Sequence, residues 1–171
     1  MNNTPYIHLR THSSYSLAES TLKINKIVEL AKKNNMPSVA LTDNNNMFGA
    51  LEFSIECINN GIQPIIGSTI NYLDITNSNI SSQVTFLVKN ENGYKNLLYL
   101  SSISHTKRAN AIGITFEEIK KNSDGLICFI GGEFNPLLFL KKQNKLSDID
   151  KFISNFINIF YDNFYFEIQR N

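Results

Sequence analysis

Short apolar runs alternate with segments of helical period along most of this chain, and that alternation restricts the fold more than any other feature. Ser38-Val39-Ala40-Leu41-Thr42 is the plainest run. It is apolar without alternating, as strands covered on both faces are. Before it, Ile24, Ile27, Val28 and Ala31 share one helical face, which predicts a helix from Asn25 to Asn34. Ser20 or Thr21 could cap that helix. Met36-Pro37 ends it, because proline disfavours helix in the residue before it. Asn44-Asn45-Asn46 reads as a turn. A second helix is expected over about Phe48 to Asn60, where Leu51, Ile55 and Ile58 keep helical spacing and Gly61 suits the C-cap.

Further strands are expected at Tyr6–Leu9, Gln63–Gly67, Val84–Val88, Leu126–Ile130 and Phe164–Ile168. Helices are expected at Tyr94–Ile103, with Leu97, Leu98 and Tyr94 inward, and at Ile149–Phe160. The Asn/Ser-rich residues 74–82 read as a loop, and 105–114 as irregular. Strand then helix, repeated, predicts an α/β fold of parallel strands with right-handed crossover helices. Sites in such folds lie at the carboxyl ends of strands, here Thr42-Asp43-Asn44 and Gly67-Ser68-Thr69.

Composition excludes little. The 171 residues carry a net charge of +1, so no global field directs the chain to nucleic acid or membrane. At 42% hydrophobic residues a substantial core is within reach, and disorder is not expected. No stretch is long enough to span a membrane, and no apolar signal region opens the chain. Cys57 and Cys128 have no metal-ligand spacing and read as reduced core residues of a cytoplasmic protein.

Chemistry concentrates near the start, at His8-Leu9-Arg10-Thr11-His12. On a strand, alternation puts His8, Arg10 and His12 on one face. Histidines so placed can share a metal ion, but a cation between them opposes it. Two unit charges at contact cost about 4 kcal/mol at an effective dielectric of 20. A polar strand end whose histidines bond to the backbone is the plainer reading. Arg10 either pairs with Glu19 or Asp43 or is solvated. Asp43 could be a metal ligand, but more simply heads a turn and caps a helix. His105 reads as a surface or hydrogen-bonded histidine, and Lys107-Arg108 as a solvated basic pair. Gly49 and Gly67 read as close-packing positions. The phenylalanines from Phe152 to Phe166 read as core.

The stretches HLRTHSSYSLAES, MPSVALTDNNNMFGALEF, GIQPIIGSTI, NENGYKNLLYLSSIS and FYFEIQRN occur in that order. Together they resemble the N-terminal PHP (polymerase and histidinol phosphatase) domain of the bacterial DNA polymerase III alpha subunit, from Pro5 to Asn171. The resemblance implies a distorted (β/α)7 barrel, of which residues 1–171 are the incomplete N-terminal portion with strand edges left open. It also implies a metal cluster at the strand ends in catalytic members. Carried over position by position, the HxH ligands of that cluster fall on Arg10 and His12, and the acidic ligand after them on Glu19. The histidine of the TDH motif falls on Asn44, after Asp43. The remaining ligands fall on Thr69, Gln83 and Gly132.

Zinc and similar ions want imidazole nitrogen or carboxylate oxygen. His12 and Glu19 alone cannot close a four-coordinate site. The expectation is a degenerate metal site with no metal or catalytic residue of its own, and no cofactor beyond magnesium in the parent polymerase. The resemblance further implies a structural and docking role within a DNA-directed DNA polymerase of the cytoplasm. Its partners would be the rest of the alpha subunit, the proofreading exonuclease subunit and, through the parent enzyme, DNA. The alternatives are a metal-dependent phosphoesterase of the PHP family and a stand-alone binding protein.

Overall fold

The computed structural model of the chain describes residues 6–77 and 80–168. The first helix, α1, spans Ile24–Lys33 and buries Ile24, Ile27, Val28 and Ala31, the face expected from their spacing. Its N-cap is Lys23, with no side-chain cap bond. Ser20 is committed elsewhere, donating to the His12 carbonyl at 2.8 Å. Strand β1 follows at Ser38–Leu41 with every residue buried. Helix α2 spans Ala50–Asn59, and Gly61 takes the left-handed conformation just beyond it (φ 69°).

The spacing of Leu51, Ile55 and Ile58 holds, but that face looks outward. Ala50, Phe53 and Cys57 are the residues that reach the core. Phe53 supplies the large inward anchor, and the helix rotates to bury it.

Strands β2 (Gln63–Asn77) and β3 (Ile80–Val88) form a long hairpin. The expected loop over 74–82 is therefore corrected, residues 78–79 lying outside the described ones. Polar side chains do not forbid a ladder on an exposed hairpin, because the backbone pairs regardless. A register shift between Tyr72 and Thr76 marks a bulge there. Helix α3 (Glu91–Thr106) is longer than expected, capped by Asn90, whose Oδ1 accepts from the Gly93 amide at 3.0 Å. Leu97 and Leu100 are buried, whereas Tyr94 and Leu98 are on the outer face. Then come α4 (Phe116–Lys121), β4 (Leu126–Ile130), α5 (Pro136–Lys142), α6 (Leu146–Phe160) and β5 (Phe164–Phe166).

The sheet order is β1-β2-β3-β4-β5. The outer pairs β1/β2 and β4/β5 are parallel, while β2/β3 and β3/β4 are antiparallel. The architecture is thus α/β, but the sheet is mixed and has five strands. Strand β3 is the reason: it pairs with β2 as a hairpin, whose strands must run antiparallel, and the return through α3 and α4 sets β4 against it again. The expected first strand at Tyr6–Leu9 is not a ladder member. The segment lies along β1 and Thr42 by two backbone bonds, Ala40 N to His8 O and Thr42 N to Thr11 O, and Thr42 Oγ1 also accepts from Thr11 N at 3.0 Å. Three of its residues span two of β1, so strict alternation of His8, Arg10 and His12 is lost.

One sheet face carries Ile70, Tyr72, Val84, Phe86, Cys128 and Ile130 against α3, α5 and α6. Phe152, Phe156 and Phe160 of α6 stack along it, the first two rings 4.3 Å apart. Helices α1 and α2 close a second cluster over β1 with Val39, Leu41 and Ile62. The opposite sheet face holds a small third cluster, Ala40, Leu87 and Phe129, and its rim carries polar residues. Both cysteines are free and buried, and burial pushes the Cys57 thiol up to about 11 and the Cys128 thiol well above its ordinary value. Among the described residues no helix is long and apolar enough to cross a membrane.

Candidate functional site

The rim is built where β1 ends. Asp43 is almost fully buried (1% exposed), and its carboxylate accepts from Ser13 N at 2.6 Å, Ser13 Oγ at 2.7 Å and Ser16 Oγ at 2.6 Å. Its carbonyl accepts from Thr69 N at 3.1 Å and Ser68 Oγ at 2.9 Å. Asp43 is therefore a clamp that ties the amino-terminal segment to β1 and β2, and the expected capping role is corrected. The residue preceding α2 is Gly49, and the Asp43 carboxylate makes its bonds to Ser13 and Ser16 rather than to that helix.

His12 sits beside this clamp, its Nδ1 3.4 Å from Ser16 Oγ. Burial lowers its pKa below 6.5, Arg10 lowers it further, and Glu19, Asp43 and Glu167 pull the other way. The imidazole is neutral at pH 7. Arg10 does not pair with Glu19 or Asp43. Its Nη1 donates to Glu167 Oε2 at 2.9 Å and to the Gly131 carbonyl at 3.3 Å. Both side chains of that ion pair are largely enclosed, 15% and 18% exposed. Gly131 makes room for it: a Cβ there would stand 2.4 Å from Glu167 Cβ.

Asn44 Nδ2 donates to Glu19 Oε2 in a short contact, while Asn44 Oδ1 is buried and has no hydrogen-bond partner. Asn44 also bridges Thr69 in the sheet. Thr69 is fully buried and shares a hydrogen bond with Thr85, Oγ1 to Oγ1 at 3.0 Å. Gln83 donates to Asn71 Oδ1 at 3.4 Å, and its backbone amide donates to Phe134 O at 2.7 Å. Gly132 (φ 74°) turns the chain after β4, its carbonyl accepting from Asn135 Nδ2 at 2.6 Å.

The structure thus gathers Arg10, His12, Glu19, Asp43 and Asn44 at one rim, with Thr69 beneath. Gln83 lies farther along, in a cleft of about 870 Å³ that Glu19, Asn71, His105, Arg108 and Phe134 also line. His105 contacts the Asn45 carbonyl at 2.5 Å, which agrees with a hydrogen-bonded histidine. Lys107 and Arg108 are not merely solvated: both pair with Glu118, at 2.6 and 2.9 Å.

A first-row divalent ion fits these donors poorly. Asp43 already accepts from three hydroxyl and amide donors, Thr69 is bonded to Thr85, and the guanidinium of Arg10 brings a positive charge to the rim. No set of three histidine, cysteine or acidic side chains arranged to hold a metal occurs among the described residues. Sequence reasoning missed Glu167, Ser13, Ser16 and Thr85. Glu167 has no local signal, being 157 positions from Arg10. The Ser13-x-x-Ser16 spacing before a buried aspartate is a signal that could have found the clamp.

The DNA polymerase III subunit alpha of Rickettsia bellii is 42% identical over 173 residues, covering 98% of this chain and 14% of the relative. That of Borreliella burgdorferi is 40% identical over 179 residues, covering 97% and 15%. The chain therefore spans only about one seventh of the curated relatives it matches. An amidohydrolase structure from Chromobacterium violaceum aligns over 86% of this chain and 54% of its own at TM-score 0.46 and 17% identity, a likeness that carries no inference. Residues 8–171 match the profile of the PHP domain, and the chain belongs to the PHP domain family.

Proposed function

We propose that this segment is the N-terminal PHP portion of a DNA polymerase III alpha subunit, serving that enzyme as a structural and docking module rather than as a catalyst. The observation that carries the reading is the 42% identity along 98% of the chain to an alpha subunit. The chemistry of the rim supports the second half. Arg10 is spent on Glu167, Asp43 on two serines, and the neutral oxygens of Asn44, Thr69 and Gln83 are weak ligands for zinc or manganese. Nucleotidyl transfer, magnesium and DNA belong in this reading to the remainder of the polymerase. The proofreading exonuclease subunit is the docked partner, and the cytoplasm is the compartment.

Two measurements test it. Metal analysis of the purified chain after dialysis against manganese or zinc is expected to show no stoichiometric ion, and a generic phosphodiester is expected not to turn over. Bound metal together with turnover abolished by His12→Ala would establish the phosphoesterase reading instead. The exonuclease subunit encoded in the same genome is expected to bind the intact alpha polypeptide through this domain. Undiminished binding after the domain is deleted would remove the docking role.

A further inference from the structure

Helix α2 carries two apolar faces, and the fold uses one of them. Phe53 and Cys57 are fully buried against α1 and β1. On the other side Phe48, Leu51, Ile55 and Ile58 are 74%, 72%, 52% and 68% exposed. Within α2 the spacing of Leu51, Ile55 and Ile58, four and three residues, is the seam of a helix that meets a second helix, and Phe48 extends it from the turn just before. One edge of the seam is acidic. Glu52 lies there, held by the Tyr15 hydroxyl at 3.0 Å, and Glu56 follows one turn on, bonded to Asn60 Nδ2 at 3.0 Å. Within α2 there is no basic residue to offset them.

From this seam we infer that α2 docks an amphipathic helix with lysine or arginine along the edge facing Glu52 and Glu56, supplied by the part of the same polypeptide that lies outside this segment. The inference rests on the polymerase reading above, because it needs the longer chain that the alpha subunits have: this segment matches only 14% of the Rickettsia bellii protein. Charge selects the occupant. A second copy laid antiparallel on the seam would set Glu52 and Glu56 against their own images, whereas a basic edge complements them. Area selects it too. Four side chains offer on the order of 500 Å², short of the roughly 800 Å² each partner contributes to a stable free association. A tethered helix has a high effective concentration and needs less contact.

The test places a photo-reactive benzoylphenylalanine at position 55 of the full polypeptide that the gene encodes. Irradiation is expected to give an intramolecular cross-link to a helix bearing lysine or arginine beside its apolar stripe. Glu52→Lys with Glu56→Lys is expected to lower its yield about fivefold by replacing attraction with like-charge contact, with an unchanged thermal midpoint as the check on folding. A cross-link only to a second copy, only to another protein, or none at all would overturn the assignment. Polymerising activity without the cross-link sinks this inference alone. A full polypeptide without polymerising activity sinks the reading it rests on.

Discussion

His12 is kept neutral by its surroundings, and that has a direct consequence for stability. Its pKa in the fold lies below 6.5, so the unfolded chain takes up the proton first as pH falls. The contribution is present above pH 6.5 and is lost below it. An NMR titration is expected to give a midpoint below 6.5 for His12, and His12→Gln is expected to flatten the acid limb of the stability curve below pH 6.5.

Glu118 behaves in the same sense, lower on the scale. Lys107, the Thr115 amide and Arg108 outweigh its burial and hold its carboxyl at about 2, against an ordinary 4.5. Its contribution is full above pH 4.5 and disappears as pH drops toward 2. Glu118→Gln is expected to cost about 2 kcal/mol at pH 7 and almost nothing at pH 2, measured by urea unfolding at both. Arg10→Leu removes a mostly enclosed charged hydrogen bond to Glu167, and a loss of about 2 kcal/mol is expected from the same measurement.

At the scale of elements, α2 and α3 separate what was legible from what was not. Apolar spacing announced both helices. It did not say which face would turn inward, because Leu51, Ile55 and Ile58 form as good a stripe as Ala50, Phe53 and Cys57. Bulk decides: burying Phe53 removes more apolar surface than any single residue of the outer stripe except Phe48, which lies before the helix begins. Phe53→Ala is therefore expected to cost about 3–5 kcal/mol, and Leu51→Ser within about 0.5 kcal/mol, by chemical unfolding.

The small helices were hidden for another reason. Helix α4 has 6 residues and α5 has 7, too few for a period to register. Their caps were nonetheless written plainly, as the Thr115–Glu118 capping box and as Asn135 before Pro136 at the first turn. Likewise β2 and β3 were concealed by polar composition, since a hairpin is held by its backbone. Tight contact also operates between elements. A Cβ at Gly93 would stand 1.8 Å from the Gly125 carbonyl, backbone against side chain with nothing able to yield. Gly93→Ala is expected to abolish cooperative folding, read by loss of the thermal transition.

Across the whole molecule, the positions that gather at the rim were found from a resemblance, and the bonds among them were not. Arg10, His12, Glu19, Asp43 and Asn44 could be placed at one site. Their partners could not, because pairing depends on how the sheet brings β1, β4 and β5 together. Strand β3 alone runs against the others, reversed by the hairpin from β2 and turned back through α3 and α4 into β4, while β1 and β5 lie at the two edges of the sheet. An open β5 edge, with Tyr165 and Phe166 each 54% exposed, invites strand-to-strand association. Sedimentation of the 171-residue chain is expected to show mass rising with concentration.

The ion pair of Arg10 with Glu167 joins a residue near the first that the structure describes to one near the last. A ribosome releases Arg10 long before it has made Glu167, at roughly 5–20 residues each second. Until then Arg10 lacks its carboxylate partner, and the serine-rich loop after it is held by Asp43, Asn46 and Glu52. The amino-terminal arm is thus a latch that shuts only once residue 167 has been made, and nascent chains stalled before it should leave the Arg10 end open to protease.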